Sequence, residues 1–167
     1  MHQAVIDIPP GEYSFNSWNT NIRTADHRNF SGGFWINVGD YYDGQRIGFS
    51  PSFEWRVNNH LAFETSVNYN KYKFPGAEAT TRQITLENEI AFNSSWSLVT
   101  LAQYDNLSKE VGINSRLRYN RAAGKDFWLV LNHNMREFEA DDPEYRSNDF
   151  RSVETVVALK FRYTFRF

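Results

Sequence analysis

The sequence predicts an all-β protein, an antiparallel up-and-down transmembrane β-barrel of about nine long strands, and three observations lead there. The first is period: apolar and polar residues alternate one by one, as side chains on a strand alternate between two faces. The second is length. The last alternating stretch, 153–167, runs for fifteen residues, whereas a soluble strand has about 5–6 and a tilted strand crossing a bilayer needs roughly 9–11. The third is composition. The 167 residues include 14 Phe, 9 Tyr and 5 Trp, yet mean hydropathy is −0.62. So many rings in so hydrophilic a chain need a face of their own.

Length and charge exclude several classes. A chain of this size fits one domain. Having no cysteine, it has no disulfide scaffold, thiolate metal site or catalytic thiol. A net charge of −2 from 18 basic and 20 acidic residues, well mixed, argues against a nucleic-acid partner. No run of eighteen apolar residues offers a transmembrane helix.

Taken in order, residues 1–10 read as a lead-in. They carry no charged region followed by an apolar stretch, so no signal peptide is visible, and Ile8-Pro9-Pro10-Gly11 breaks regular structure. The barrel domain is then 11–167. Segments 13–24 and 30–42 alternate loosely, and Gly32-Gly33 and Pro51 predict a bulge or local bend. In the third strand Ile47, Phe49, Phe53, Trp55 and Val57 oppose Arg46, Ser50, Ser52, Glu54 and Arg56. In the fourth, Leu61, Phe63, Val67 and Tyr69 oppose Ala62, Glu64, Ser66, Asn68 and Asn70. In the fifth, Ile84, Leu86, Ile90 and Phe92 oppose Gln83, Thr85, Glu87 and Glu89. Segment 96–105 is less regular. The seventh strand sets Val111, Ile113, Leu117 and Tyr119 against Glu110, Asn114, Arg116, Arg118 and Asn120. Segment 126–136 is again loose. The ninth is the cleanest: Val153, Thr155, Val157, Leu159, Phe161, Tyr163, Phe165 and Phe167 face one way, and Glu154, Val156, Ala158, Lys160, Arg162, Thr164 and Arg166 the other.

The connections carry a second pattern. Stretches 25–29, 58–60, 93–95 and 121–125 read as short turns. Between them lie the longer or more polar 40–45, 74–81, 105–109 and 137–152. Short turns at one end and longer loops at the other are a mark of outer-membrane barrels. In such a barrel the apolar face meets lipid and the polar face lines the lumen. Shifting the last strand by one residue would put Lys160 and Arg162 into lipid, at about 2–4 kcal/mol each near the midplane. Rings near the strand ends, among them Trp55, Tyr69, Phe92, Trp96, Tyr104, Tyr119 and Phe127, are placed for interfacial girdles.

The closing stretch Lys160-Phe161-Arg162-Tyr163-Thr164-Phe165-Arg166-Phe167 resembles the C-terminal strand of bacterial outer-membrane proteins. That resemblance implies that Phe161, Tyr163, Phe165 and Phe167 form the signal read by the barrel-assembly machinery. Further stretches resemble one family in particular: Gly11-Glu12-Tyr13-Ser14-Phe15, Tyr42-Asp43-Gly44, Thr80-Thr81-Arg82, Gln103-Tyr104-Asp105, Asn114-Ser115-Arg116-Leu117-Arg118-Tyr119 and Phe127-Trp128-Leu129-Val130. They look like the C-terminal barrel of an uncharacterised bacterial outer-membrane family. In that family a carbohydrate-binding-module-like N-terminal domain (family nine) precedes the barrel, and this chain has no room for it. The likeness covers most of 11–167 and rests on turns and strands, not on catalytic motifs. An odd strand count points the same way. Single-chain bacterial barrels have an even number of strands with both termini periplasmic, so the expectation is the C-terminal part of a larger barrel.

The candidate functional residues are lumen-facing charges. Glu54, Glu64, Glu87 and Glu89 belong to strands three to five, and Arg116, Arg118, Lys160, Arg162 and Arg166 to strands seven and nine. They would either polarise a pore interior or fill a narrow barrel as ion pairs, and for this chain alone the filled interior is the expectation. His133 falls on the face of Leu129 and Leu131 with no nucleophile beside it, which predicts an interfacial rather than a catalytic histidine. His27 and His60 fall in turns. The acidic stretch Glu137, Glu139, Asp141, Asp142, Glu144 and Asp149 lacks EF-hand spacing and is interrupted by Arg146, so a solvated loop is expected ahead of a calcium site. No cofactor is expected. The implied partners are outer-membrane lipid, the assembly machinery and further strands or a domain of the same protein. The expected role is membrane anchoring or passage of polar solutes in the bacterial outer membrane, carbohydrate-related by resemblance only. The rivals are an outer-membrane hydrolase and a soluble barrel holding an apolar ligand.

Overall fold

A computed structural model describes residues 10–138 and 149–165. Residues 1–9 of the lead-in, 139–148 of the acidic stretch, and Arg166 and Phe167 therefore lie outside the described residues. The described chain forms nine strands: β1 (Ser17–Arg23), β2 (Phe30–Tyr41), β3 (Gly44–Asn58), β4 (Leu61–Phe74), β5 (Ala77–Ala91), β6 (Trp96–Asp105), β7 (Glu110–Ala122), β8 (Lys125–Phe138) and β9 (Asp149–Tyr163). They make one open sheet in sequence order, every neighbouring pair antiparallel. β1 and β9 are its edges, and all fifteen residues of β9 are exposed.

The period-two reading carries over into register. Because paired residues share a face, the apolar set runs as continuous rows. Trp96, Tyr119, Phe127 and Phe161 are successive cross-strand partners over β6 to β9, with ring centroids 4.5 Å apart for Trp96–Tyr119 and 5.1 Å for Phe127–Phe161. Phe30, Trp55 and Phe63 continue this aromatic belt over β2 to β4, at 5.5 and 6.1 Å. Among the described residues no apolar side chain is buried. Leu86, Val157, Leu159 and Phe161 are 48, 63, 60 and 73% exposed. A water-soluble domain of this size buries such residues in a core; this sheet leaves them uncovered.

Several polar residues that fall on the apolar face find partners there. Thr65 Oγ1 donates to the Thr85 carbonyl at 3.0 Å, Asn88 Nδ2 to the Ala62 carbonyl at 3.4 Å, and the Thr100 and Ser115 hydroxyls bond at 3.0 Å. His133 Nδ1 lies 2.8 Å from Thr155 Oγ1. An unpartnered hydroxyl or amide is costly in an apolar medium, and these four pairs remove that cost.

Several sequence expectations are corrected. Stretches 40–45 and 74–81 are not loops: strand pairing runs to two-residue turns at 42–43 and 75–76. Positive φ at Tyr42 (56°) and Gly76 (83°) lets the chain reverse that tightly. At these two connections polar strand stands where a loop was expected, because backbone ladders hold Lys71–Lys73 against Glu78–Thr80 whatever the side chains are. No register shift occurs at Gly32-Gly33 or Pro51; shifts fall between Arg56 and Asn58, Asn120 and Ala122, and Asn134 and Met135. The last of these opposes Glu154 and Ser152 to consecutive β8 residues, leaving Val153 as the bulged residue, so simple alternation along the ninth strand fails before Glu154.

Candidate functional site

The face opposite the aromatic belt is polar and hollowed. Glu54, Glu64 and Glu87 are cross-strand partners in one row over β3, β4 and β5, and Glu89 pairs with Ala62 one step along. A hollow of about 60 Å³ lies among all four carboxylates. Glu54 is engaged: Arg56 Nε donates to its Oε1 at 2.7 Å, and Ser31 Oγ to its Oε2 at 3.3 Å. Glu64 has no ion pair or hydrogen bond among the described residues, though a carboxylate stands on each side of it. Like charges directly opposite destabilise a sheet by about 0.2–1 kcal/mol per pair. Glu64→Gln is therefore expected to raise stability by about that amount in chemical denaturation.

The basic set is organised by a residue the sequence reading passed over. Asp126, at the start of β8, has no exposed side-chain surface. Its Oδ1 accepts from Arg118 Nε at 3.1 Å, Arg118 Nη2 at 2.7 Å and Asn120 Nδ2 at 2.6 Å. Its Oδ2 accepts from Arg162 Nε at 2.8 Å and from Arg162 Nη2. Trp128, two residues on, lies under Arg162 and Lys160, with cation-to-centroid distances of 5.4 and 5.6 Å. Arg116 stands apart, its Nε donating to Asn114 Oδ1 at 2.9 Å. The predicted basic residues of β7 and β9 thus share a face as expected, but two of them belong to one carboxylate. Only Arg166 lies outside the described residues.

Elsewhere the polar face is an amide ladder. Asn37 donates to Asn19 at 2.5 Å, Ser50 to Asn68 at 2.8 Å and Arg46 Nη2 to Asn70 at 2.7 Å, with Arg46 also 5.8 Å from the ring centroids of Trp35 and Tyr72. A larger hollow, about 360 Å³, opens where β6, β7 and β8 meet the 106–109 turn. Among the described residues no group of three or more His, Asp or Glu is arranged to hold a metal ion. No protein-family model, curated protein or solved structure matches the chain. The reading of the site accordingly stands on its own geometry.

Towards the tip of the β4–β5 hairpin Lys71, the cross-strand partner of Ile47, has its Nζ 2.8 Å from Glu78 Oε2. That hydrogen bond and the charge behind it push the Lys71 ammonium above its ordinary pKa and hold the Glu78 carboxyl below its own. Arg82 lies over the Tyr69 ring at 5.8 Å. This polar margin begins where the apolar rows of β4 and β5 end. His133 bonds the Thr155 hydroxyl on the apolar face, and among the described residues no carboxylate orients its ring.

Proposed function

We propose that the chain is the C-terminal strand set of a bacterial outer-membrane β-barrel. Its apolar face contacts lipid, and its polar face lines a lumen through which small polar solutes pass. The observation that carries this reading is the separation of faces. The apolar rows are uncovered, several polar residues on that face are paired off, and the charged and amide side chains of the strand interiors lie mostly on the other face, with a few rings and aliphatic residues among them. Water is a poor solvent for so wide an apolar surface; a bilayer about 30 Å thick is a good one. The rows of rings near the 59–60, 93–95 and 123–124 connections match an interfacial girdle, and the Lys71–Glu78 pair matches the opposite headgroup layer.

The open edges support membership in a larger barrel. β1 and β9 run parallel to each other because seven strands lie between them in an antiparallel meander. Antiparallel closure needs further strands, odd in number, between them. In the resembling family those strands and a carbohydrate-binding-module-like domain come before this region, and carbohydrate handling by this protein rests on that resemblance alone. No hydrolytic role is assigned, since His133 lies on the lipid side.

The test is cellular fractionation of the chain secreted into the periplasm of a Gram-negative host. The expected product sediments with outer membranes, resists alkaline carbonate and is released by detergent. A protein that is monodisperse without detergent would overturn the reading.

A further inference from the structure

We propose that the hollow between β6, β7 and β8 is a binding site for an uncharged, polyhydroxylated solute. The inference rests on the reading of the polar face as a lumen and names what that lumen holds. At about 360 Å³ the hollow is within the range of small-molecule sites. Its charged groups are already committed. Asp105 Oδ1 accepts from the Leu107 and Ser108 amides at 2.8 and 3.0 Å, closing the turn, and Glu110 Oε1 accepts from Arg136. What stays free is neutral. Neither Gln103 nor Asn134 makes a side-chain hydrogen bond among the described residues, and Asn132 uses only its Oδ1, to accept from Asn114. Three amides that each both donate and accept match hydroxyl groups, which do the same. Among the described lining residues there is no unpaired cation, and the Asp105 carboxylate, bonded only within its turn, disfavours an anionic ligand.

Gly112 adds an independent observation. It is the third residue of β7, paired to Gln103 on one side and Asn134 on the other. A strand-interior glycine marks a bulge, a bend, or a place where another backbone or a ligand comes close. At Gly44 and Gly33 a Cβ would collide with backbone oxygens at 2.1 and 2.7 Å, so neighbouring chain explains those glycines. At Gly112 the register is unbroken and a Cβ would meet one atom only, the Asn134 side-chain oxygen at 3.3 Å. No backbone requires the glycine. Its missing side chain keeps the floor of the hollow open between the two free amides, while Leu101 supplies an apolar surface beside them for the C–H face of a sugar-like ring.

The experiment titrates raffinose into the full chain refolded in detergent micelles and follows side-chain amide resonances by NMR. Expected is saturable movement of the Gln103, Asn132 and Asn134 signals, with half-saturation on the order of millimolar, and little movement with glucuronate or glucosamine. Gly112→Leu should weaken the effect at least about tenfold by filling the hollow. Gln103→Ala, which removes an amide and adds no bulk, should weaken it as well, so the test survives misfolding of the leucine variant. Linear or absent shifts, equal response of wild type and both variants, or tighter binding of either charged sugar would overturn the proposal. A well-dispersed β spectrum in micelles with no raffinose response sinks the solute site alone. A chain that folds only without detergent sinks the membrane reading beneath it.

Discussion

Leu86→Arg is expected to destabilise the folded chain in lipid vesicles by about 2–4 kcal/mol, the cost of a basic side chain near the bilayer midplane. Thr85→Arg, one residue away, is expected to change stability by less than about 0.5 kcal/mol, as an ordinary exposed position would. Leu86 sits in the middle of the outward run Ile84, Leu86, Asn88 and Ile90, between Arg82 at one margin and the turn after Ala91 at the other. Thr85 points to the polar face, paired with Ser66 and Gln103, where a guanidinium remains hydrated and close to Glu87. Its hydrogen bond to Thr65 is made through the backbone carbonyl and survives the substitution. Reversible guanidinium unfolding from vesicles reads the two variants side by side. Leu86 is about half exposed in the sheet, so if that face met water its replacement would also stay within about 0.5 kcal/mol. Equal, small effects at 85 and 86 would end the lipid assignment of the face.

The two faces were legible in the sequence because side-chain alternation is a local property. Knowing the side of Phe161 determines the side of Lys160 and Arg162, with no knowledge of what pairs with β9. The strand number followed from the same pattern. Where the pattern met polar residues it misled: Lys71 and Lys73 read as loop because their side chains are polar, yet the backbone pairing that makes a strand does not depend on them. Val153 read as one more alternating residue because a bulge is set by the partner strand. Asp126 was missed for a related reason. Its importance comes from register, Asn120 opposite it on β7 and Arg162 opposite on β9, and Arg162 is 36 residues away, beyond any local window. One clue was available. Asp126 is the acidic residue with inward parity at the start of the eighth strand, facing a set of inward cations that needed a counter-charge. The solute hollow was equally hidden, since Gln103, Gly112 and Asn134 belong to three strands and share no motif.

Asp126→Ala is expected to be the most damaging single substitution on the polar face. The side chain is inaccessible, and its two oxygens take five hydrogen bonds from three residues on the strands either side. Removing it leaves Arg118 and Arg162 close together with no carboxylate between them, and β9 loses its ion pair to β8. Breaking a pair in this way harms more than never having it, because the orphaned charges stay where they are. That asymmetry gives a sharper test than the single variant. If uncompensated cations are the cause, adding Arg162→Met to Asp126→Ala should recover part of the lost stability, although it removes a further native side chain. Asp126→Asn should fall between wild type and alanine: it keeps an acceptor but loses the charge that both guanidiniums answer. Thermal unfolding in detergent micelles, followed by the loss of strand circular dichroism, ranks wild type, Asp126→Ala, Arg162→Met, the double variant and Asp126→Asn, five proteins that make one double-mutant cycle with an isostere. A double variant weaker than Asp126→Ala by the full cost of Arg162→Met alone would show the two sites to be independent. The carboxylate would then be a local cap on the 123–124 turn rather than the residue that holds the last strand to the sheet.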